Sequence, residues 1–479
     1  MTPHPSPNPN LPRRTAIARA LASAGCLSIS PAEVKGAASL TVANVTGLNS
    51  VVVARIETPS SAADIARAIQ AWPGKVAIGG GRYSMGGQVA FANGLHLDMR
   101  AMNRLIWVRR DVKAVRVQAG MRWRDLQDVL DPLNLAVKVM QSYSNFTVGG
   151  SVSVNAHGRY VGVGPVGSTV RALQMVLADG SVVEASRNQH AELFRAAIGG
   201  YGALGVITEV ELDLRDNTRI ERIVAEVPLA DYVSFFDRQV HADPASILHN
   251  ADLLPPHFDA PVCVTWRATD KTLTEQARLV ARGQSYGIEQ NLLWVLTEVP
   301  AADRLRKSVL HPLLTARPTV KWLSHEASLD VAELEPRTRR ASTYVLQEFF
   351  IPRRNFLPFA QALGPALRAN HVEAVNVSIR HSPADGTTLL AWAKDEVFSF
   401  VLYFKQRTWD TAQAEVGRWT RALIELTLQH DGRYYLPYQL HASQSQFARA
   451  YPEIDELRRL KSSFDPAGKF TNSLWAKYL

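Results

Sequence analysis

The chain has 479 residues, more than the roughly 250–300 at which a single hydrophobic core stops growing, so two domains or one elaborated domain are expected. Apolar residues make up 46% and charged residues 20%, a globular balance that excludes bulk disorder, and no apolar run of about 18 residues is available for a membrane-spanning helix. The formal charge of +9 permits an anionic partner, but the basic residues are scattered and form no nucleic-acid arm. Two cysteines, Cys26 and Cys263, can build neither a disulfide framework nor a thiolate metal site. No metal is expected, and any redox chemistry must come from a bound cofactor.

Residues 1–40 stand apart. A Pro-rich start is followed by Arg13 and Arg14 and a weakly apolar stretch from Ala20 to Ile29, an order similar to a twin-arginine export signal. Arg19 breaks the wider apolar region that begins at Ala16, so a cytoplasmic extension is favoured and periplasmic export is the alternative. From Ser50 the elements alternate: VVVARIETP is predicted as a strand ending at Pro59, SSAADIARAIQAW as a capped helix, and KVAIGGG as a strand running into glycines. Leu95–Met99 and Ala114–Ala119 read as strands, WRDLQDVLDPLN as a helix, VRALQMVLADGSVVEA as a hairpin turning on Asp179-Gly180, and ITEVELDL as a strand. Beyond about residue 224, helical patterns such as ADYVSFFDRQVH and RRNFLPFAQALGPALRAN alternate with the strands STYVLQEFFIP and VFSFVLYFKQR.

GYGALG (Gly200–Gly205) and GVGPVG (Gly162–Gly167) both match G-x-G-x-x-G. A nicotinamide Rossmann site needs a strand before the glycines and a helix after them. The first follows a helix and precedes a strand, and the second carries Pro165 and leads into a strand, so both fail. The stronger signal is IGGGRYSMGGQ (Ile78–Gln88), directly after a strand, where small residues let backbone amides converge on a pyrophosphate. A structural turn is its plainer reading. The small-residue stretch FTVGGSVSVNAHGR (Phe146–Arg159) leaves room for a bulky planar ligand, with Asn155 and His157 as polar contacts. A lone histidine is more often a satisfied core residue, but this one sits among glycines.

These segments, with IGGYGALGVITEVEL and the C-terminal FDPAGKFTN in the same order, resemble the vanillyl-alcohol oxidase type of FAD-dependent oxidoreductases, which carry a PCMH-type FAD-binding domain. The resemblance implies an α+β, two-domain flavoprotein: a PCMH-type FAD-binding domain over 41–224, an α+β substrate cap with a central antiparallel sheet over 225–433, and a segment over 434–479 that returns to the FAD domain. Carried over residue by residue, it implicates Gly79, Gly80, Gly81, Arg82, Tyr83, Ser84, Met85 and Gln88 at the pyrophosphate. Thr147, Val148, Gly149, Gly150, Val154, Asn155, Ala156, His157 and Gly158 would line the ADP and flavin, with Val206 or Ile207 near the adenine and Asn472 closing over the site.

Relatives often tether the flavin through a histidine just after the first glycines or a cysteine ahead of TVGG. Here those places hold Arg82, Tyr83 and Ser84, and Gln141–Asn145 without cysteine, so non-covalent FAD is expected. The spacing most resembles the lactone and alditol oxidases and the decaprenylphosphoryl ribose oxidase branch. On that basis Arg380 would face the flavin, while the partner carboxylate two residues earlier is replaced by Ser378. Tyr435 falls where relatives put a flavin-contacting tyrosine, and Tyr438 where they put a catalytic lysine. The implied reaction moves a hydride from a CH–OH carbon of a polyol, sugar or lactone-like substrate to flavin N5, with O2 or another electron acceptor downstream. Arg380 would supply fixed charge, and Tyr438, His441 and Glu348 are candidates for the hydroxyl proton. Packing, a surface position and an interface ion pair are the plainer readings for the tyrosines, His441 and Arg380. A sugar-ring oxidase acting as half of a two-enzyme epimerisation, and a non-catalytic flavin-fold binding protein, are the alternative functions.

Overall fold

The computed structural model describes residues 40–284, 318–333, 336 and 338–479; the leader, with its paired arginines, lies outside them. A short parallel sheet runs in the order Arg55–Glu57, Leu95–Asp98, Val76–Gly79. It is covered by helix Ala62–Ala71, whose first turn is capped by the Ser61 hydroxyl accepting from the Asp64 amide and which buries Ile65 and Ile69. VVVARIETP does not form one strand. Val51–Val52 pairs with Thr41–Val42 and only Arg55–Glu57 joins the parallel sheet. The intervening residues let the chain pass from one sheet to the other.

A second, antiparallel sheet has the order Val182–Ser186, Val170–Val176, Val206–Asp216, Ala114–Gln118, Leu105–Arg109, with Leu135–Val137 pairing at the far end of Val206–Asp216. The hairpin turns at Gly180, which takes the positive φ of 87° that such a turn needs. Across this sheet lies the helix Val148–Ser153. The valines of the small-residue stretch after TVGG favour a strand, but Thr147 caps the segment by accepting from the Gly150 amide. Gly149 then lets the helix close onto the sheet edge, where a Cβ would come 2.5 Å from that of Ala119. Tertiary contact overrides propensity here.

The third sheet has eight antiparallel strands in the order Val320–Trp322, Arg219–Glu226, Val262–Ala268, Ser246–Leu253, Ala374–Ser382, Val397–Arg407, Ser342–Pro352, Arg433–Tyr434. Its strand Arg219–Glu226 runs through position 224, where the sequence texture changes. Ser342–Pro352 pairs with Val397–Arg407 over eleven residues. Alternation turns Phe349, Phe398, Phe400 and Phe404 onto helices Phe356–Ala369 and Asp410–Gln429, with Phe359 4.9 Å from Phe400 and Trp419 4.9 Å from Phe404. The opposite face, carrying Tyr344, Leu346, Glu348 and Phe350, is thereby released from the helical layer.

Leu40–Leu479 forms one compact unit, and no helix among the described residues is long and apolar enough to cross a membrane. The C-terminal chain returns to the parallel sheet: the Val76 amide donates to Lys469 O at 2.9 Å and the Thr471 amide to Val76 O at 3.0 Å. This return is held by Asp465, a fully buried carboxylate that accepts from Lys461 Nζ (2.8 Å) and the amides of Lys469 (2.7 Å) and Phe470 (2.8 Å). Asp465→Ala should therefore destabilise the protein by about 3 kcal/mol, since it removes the counter-charge of the Lys461 ammonium and leaves the Lys469 and Phe470 amides without their acceptor; the midpoint of denaturant unfolding measures this.

Candidate active site

A cavity of about 680 Å³ lies between the glycine-rich segments and the released face of the third sheet, within the range of about 300–1,000 Å³ usual for ligand sites. On the glycine side it is lined by Gly80, Gly81, Arg82, Tyr83, Ser84, Met85 and Gln88, by Thr147, Gly149, Gly150, Val154, Ala156 and His157, and by Ile207. The absence of a side chain at Gly80 lets the two segments meet, because a Cβ there would sit 2.2 Å from Thr147 Oγ1. Arg82, in the left-handed region at φ 63°, donates to Asp98 Oδ2 at 2.9 Å and lies 3.1 Å from His96 Nε2. Tyr83 stacks on Phe146 with ring centres 4.3 Å apart. Gln88 ties the turn to the C-terminal segment: its Nε2 donates to Leu436 O (2.7 Å) and Tyr438 O (2.8 Å), and its Oε1 accepts from the Gly86 amide (2.8 Å).

Seven expected site residues do not line the cavity. Val148 and Val206 are core residues at 0% exposure, because their turns of helix and strand face inward. Gly79 closes strand Val76–Gly79, and Gly158 packs beside the Met140 carbonyl. Asn155 is wholly buried and spends its side chain on protein partners. Asn472 caps the last helix, accepting from the Leu474 and Trp475 amides, and donates to Tyr201 O. His441 lies against Gly417 and Gln439; burial, with Arg421 and Lys477 nearby, pulls its pKa down to about 4.

The opposite wall brings together Glu348, Arg380, Tyr435 and Tyr438. Strand register places Glu348 across from Val401 and Val401 across from Ser378. Glu348 thus stands in the same row as Ser378, two strands away. Glu348 Oε2 accepts from the Tyr438 hydroxyl at 3.2 Å. Its Oε1 lies in close contact with His157 Nε2, at 2.6 Å. Burial pushes the Glu348 pKa up; His157 and Arg380 outweigh it and hold the carboxyl below its ordinary value. Tyr438 goes the other way, raised well above the ordinary tyrosine value by burial and by Glu348, so its phenol is a neutral donor and not a base. Tyr435 donates to Val154 O at 2.8 Å.

Arg380 carries a buried Nε with no hydrogen-bond partner, as Arg82 does, and the Ser142 hydroxyl is likewise unsatisfied. All three residues line the cavity. Orphaned donors of this kind call for an acceptor-rich ligand, and the glycine wall beside them fits a pyrophosphate and a planar ring, so the residues present suit FAD. Sequence patterns did not single out Arg159, Asn250, Asn376 or Tyr403 as lining residues. Arg159 pairs with Glu326 at 2.7 Å across a long sequence separation that no local pattern encodes, whereas Asn376 was accessible from its alternation with Ser378 and Arg380. Because His441 does not line the cavity, His441→Gln should leave kcat/KM within about twofold of the parent, the scale of a substitution remote from a site; steady-state kinetics checks this.

Residues 51–186 match the FAD binding domain family, and residues 254–479 match the D-arabinono-1,4-lactone oxidase family. L-gulonolactone oxidase of Mus musculus is 24% identical over 84% of this chain and 89% of its own. Alditol oxidase of a Streptomyces species is 27% identical over 80% of this chain and 85% of its own. Decaprenylphosphoryl-beta-D-ribose oxidase of Mycolicibacterium smegmatis is 23% identical over 84% and 88%. The two family matches fall on the glycine wall and on the facing sheet, so the chain joins an FAD binding domain to a D-arabinono-1,4-lactone oxidase domain, as its PCMH-type oxidoreductase relatives do.

Proposed function

We propose that this protein oxidises a CH–OH group of a polyol, sugar or lactone-like substrate, with Glu348 taking the hydroxyl proton. FAD, when bound, supplies the hydride acceptor at N5 and passes electrons to O2 or another acceptor. The observation that carries the reading is the placement of Glu348: a carboxylate on the cavity wall, held below its ordinary pKa, with one oxygen accepting from Tyr438 and the other against His157. A hydroxyl group entering from the cavity can hydrogen-bond to that carboxylate and leave its proton there. Arg380, unpaired at Nε, fixes positive charge beside the reacting centre. Asn250, Asn376 and Ser378 line the same wall and offer the donors and acceptors that a polyhydroxylated substrate needs. The named relatives act on lactone, alditol and ribose substrates, which supports this donor class.

The cofactor is held without a covalent bond. Arg82 after the glycines is committed to Asp98. The two buried histidines of the region are engaged as well, His96 with Val89 O and Arg82 and His157 with Glu348. Acid precipitation should release all of the flavin into the supernatant; flavin retained in the pellet contradicts the proposal.

Glu348→Gln keeps the shape of the side chain and removes the base. It should slow anaerobic reduction of the flavin by the best of a panel of alditols, aldoses and aldonolactones by at least ~100-fold, the lower end for loss of a general base. Reduction at the parent rate would remove Glu348 from the reaction.

A further inference from the structure

The connection between strands Ala374–Ser382 and Val397–Arg407 does more than join them. Its Asp385 reaches Asn155, two residues before His157: Asn155 Nδ2 donates to Asp385 Oδ2 at 2.9 Å, and Asn155 Oδ1 accepts from the Gly167 amide at 2.9 Å. Asp385 is itself fixed by the amides of Thr387 and Thr388 on Oδ1 and by the Thr388 hydroxyl on Oδ2. From the same connection, Trp392 Nε1 donates to Asn155 O at 2.9 Å. The indole stacks on Phe350 at 4.2 Å and stands 4.8 Å from the His157 ring. Asn155 has φ 49°, a left-handed turn that asparagine tolerates, and this turn redirects the chain so that His157 points at Glu348. Both the backbone before His157 and one wall of its ring environment are therefore set by a single connection that does not belong to the glycine-rich segments.

We propose that this connection is a positioning device for His157, with Asn155, Asp385 and Trp392 as positioning residues that hold the imidazole against Glu348. The inference rests on the reading of Glu348 as proton acceptor for its consequence in catalysis, but the geometry it asserts can be tested apart from it. The groups that act on Glu348 are His157, Arg380 and the hydroxyls of Tyr438 and Ser399, with Tyr435, Tyr201 and Tyr451 coupled to it electrostatically. His157 is tied to the connection through Asn155 and by ring contact with Trp392; Tyr435 also meets Trp392, at 6.1 Å, but its hydroxyl is committed to Val154 O. Loosening His157 removes a stabiliser of the carboxylate, so the Glu348 carboxyl should titrate at higher pH. A base must be ionised to act, and the acid limb of kcat should rise with it.

The test uses the FAD-bound protein labelled with 13C at the glutamate carboxyls, the Glu348 signal being the one absent from Glu348→Gln. Its titration midpoint is followed in Asp385→Asn, Asn155→Asp, the double exchange and Trp392→Phe. Asp385→Asn sets two amides face to face; by charge alone, loss of an acid lowers the Glu348 midpoint, whereas loss of positioning raises it. The double exchange restores one donor opposite one acceptor at unchanged net charge and should return the midpoint to the parent value. Trp392→Phe keeps a ring but loses the donor to Asn155 O, and should raise the midpoint with no change of charge. The proposal is overturned if Asp385→Asn and Trp392→Phe lower only the unfolding temperature and leave the midpoint where it was, or if Asp385→Asn moves it down. If instead the midpoints move as stated while Glu348→Gln reduces its flavin at the parent rate, the positioning stands and the assignment of the base fails.

Discussion

A carboxylate at 1% exposure has to be compensated or it costs several kcal/mol, and Glu348 obtains its compensation from three distant parts of the chain. His157 arrives from the turn after the helix Val148–Ser153, Tyr438 from the C-terminal segment, and Arg380 from a strand two places away in the same sheet. No two of these are neighbours in sequence. The charge on Glu348 can be buried only when the glycine-rich half, the sheet and the C-terminal return are all in place, and so it couples the folding of each to the others. The cavity forms at that junction.

The two walls are built on opposite principles. The glycine wall is defined by missing side chains: at Gly80 and Gly149 an added Cβ would collide with Thr147 and Ala119, so backbone is left to face the ligand. The sheet wall is defined by alternation. One face of Ser342–Pro352 and Val397–Arg407 is committed to an aromatic layer under two helices, and the other is free to carry Glu348, Val401 and Tyr403 into the cavity. Burying apolar surface on one side of a strand gives the other side a fixed orientation at no further cost in ordering. The C-terminal segment links the walls through Gln88, whose amide spans the glycine turn and the carbonyls beside Tyr438.

Much of the molecule is written locally. The glycine-rich turn after Val76–Gly79, the hairpin at Gly180 and the long alternating strands each depend on residues within a few positions, and period and turn chemistry suffice for them. The helix Val148–Ser153 was not readable in this way, since its valines and serines argue for a strand and only contact with Ala119 decides otherwise. Asn155, Asn472 and His441 carry side chains suited to a site, yet they serve as a turn clamp, a helix cap and a peripheral packing residue. Residue type and motif position are the same for a polar group that faces a ligand and for one that faces the protein.

What the sequence determined by itself was the order of segments and the chemical inventory: a glycine cradle, a strand bearing Glu348, an arginine strand and a returning C-terminus, with no thiol beside the TVGG segment. What the tertiary structure alone decided was which groups meet. Ser378 stands where a carboxylate was expected next to Arg380, and sheet register places Glu348 in the same row from the second strand over. Register across a sheet is fixed by which faces are buried and by connections of any length, and neither leaves a trace in the spacing of residues along one strand.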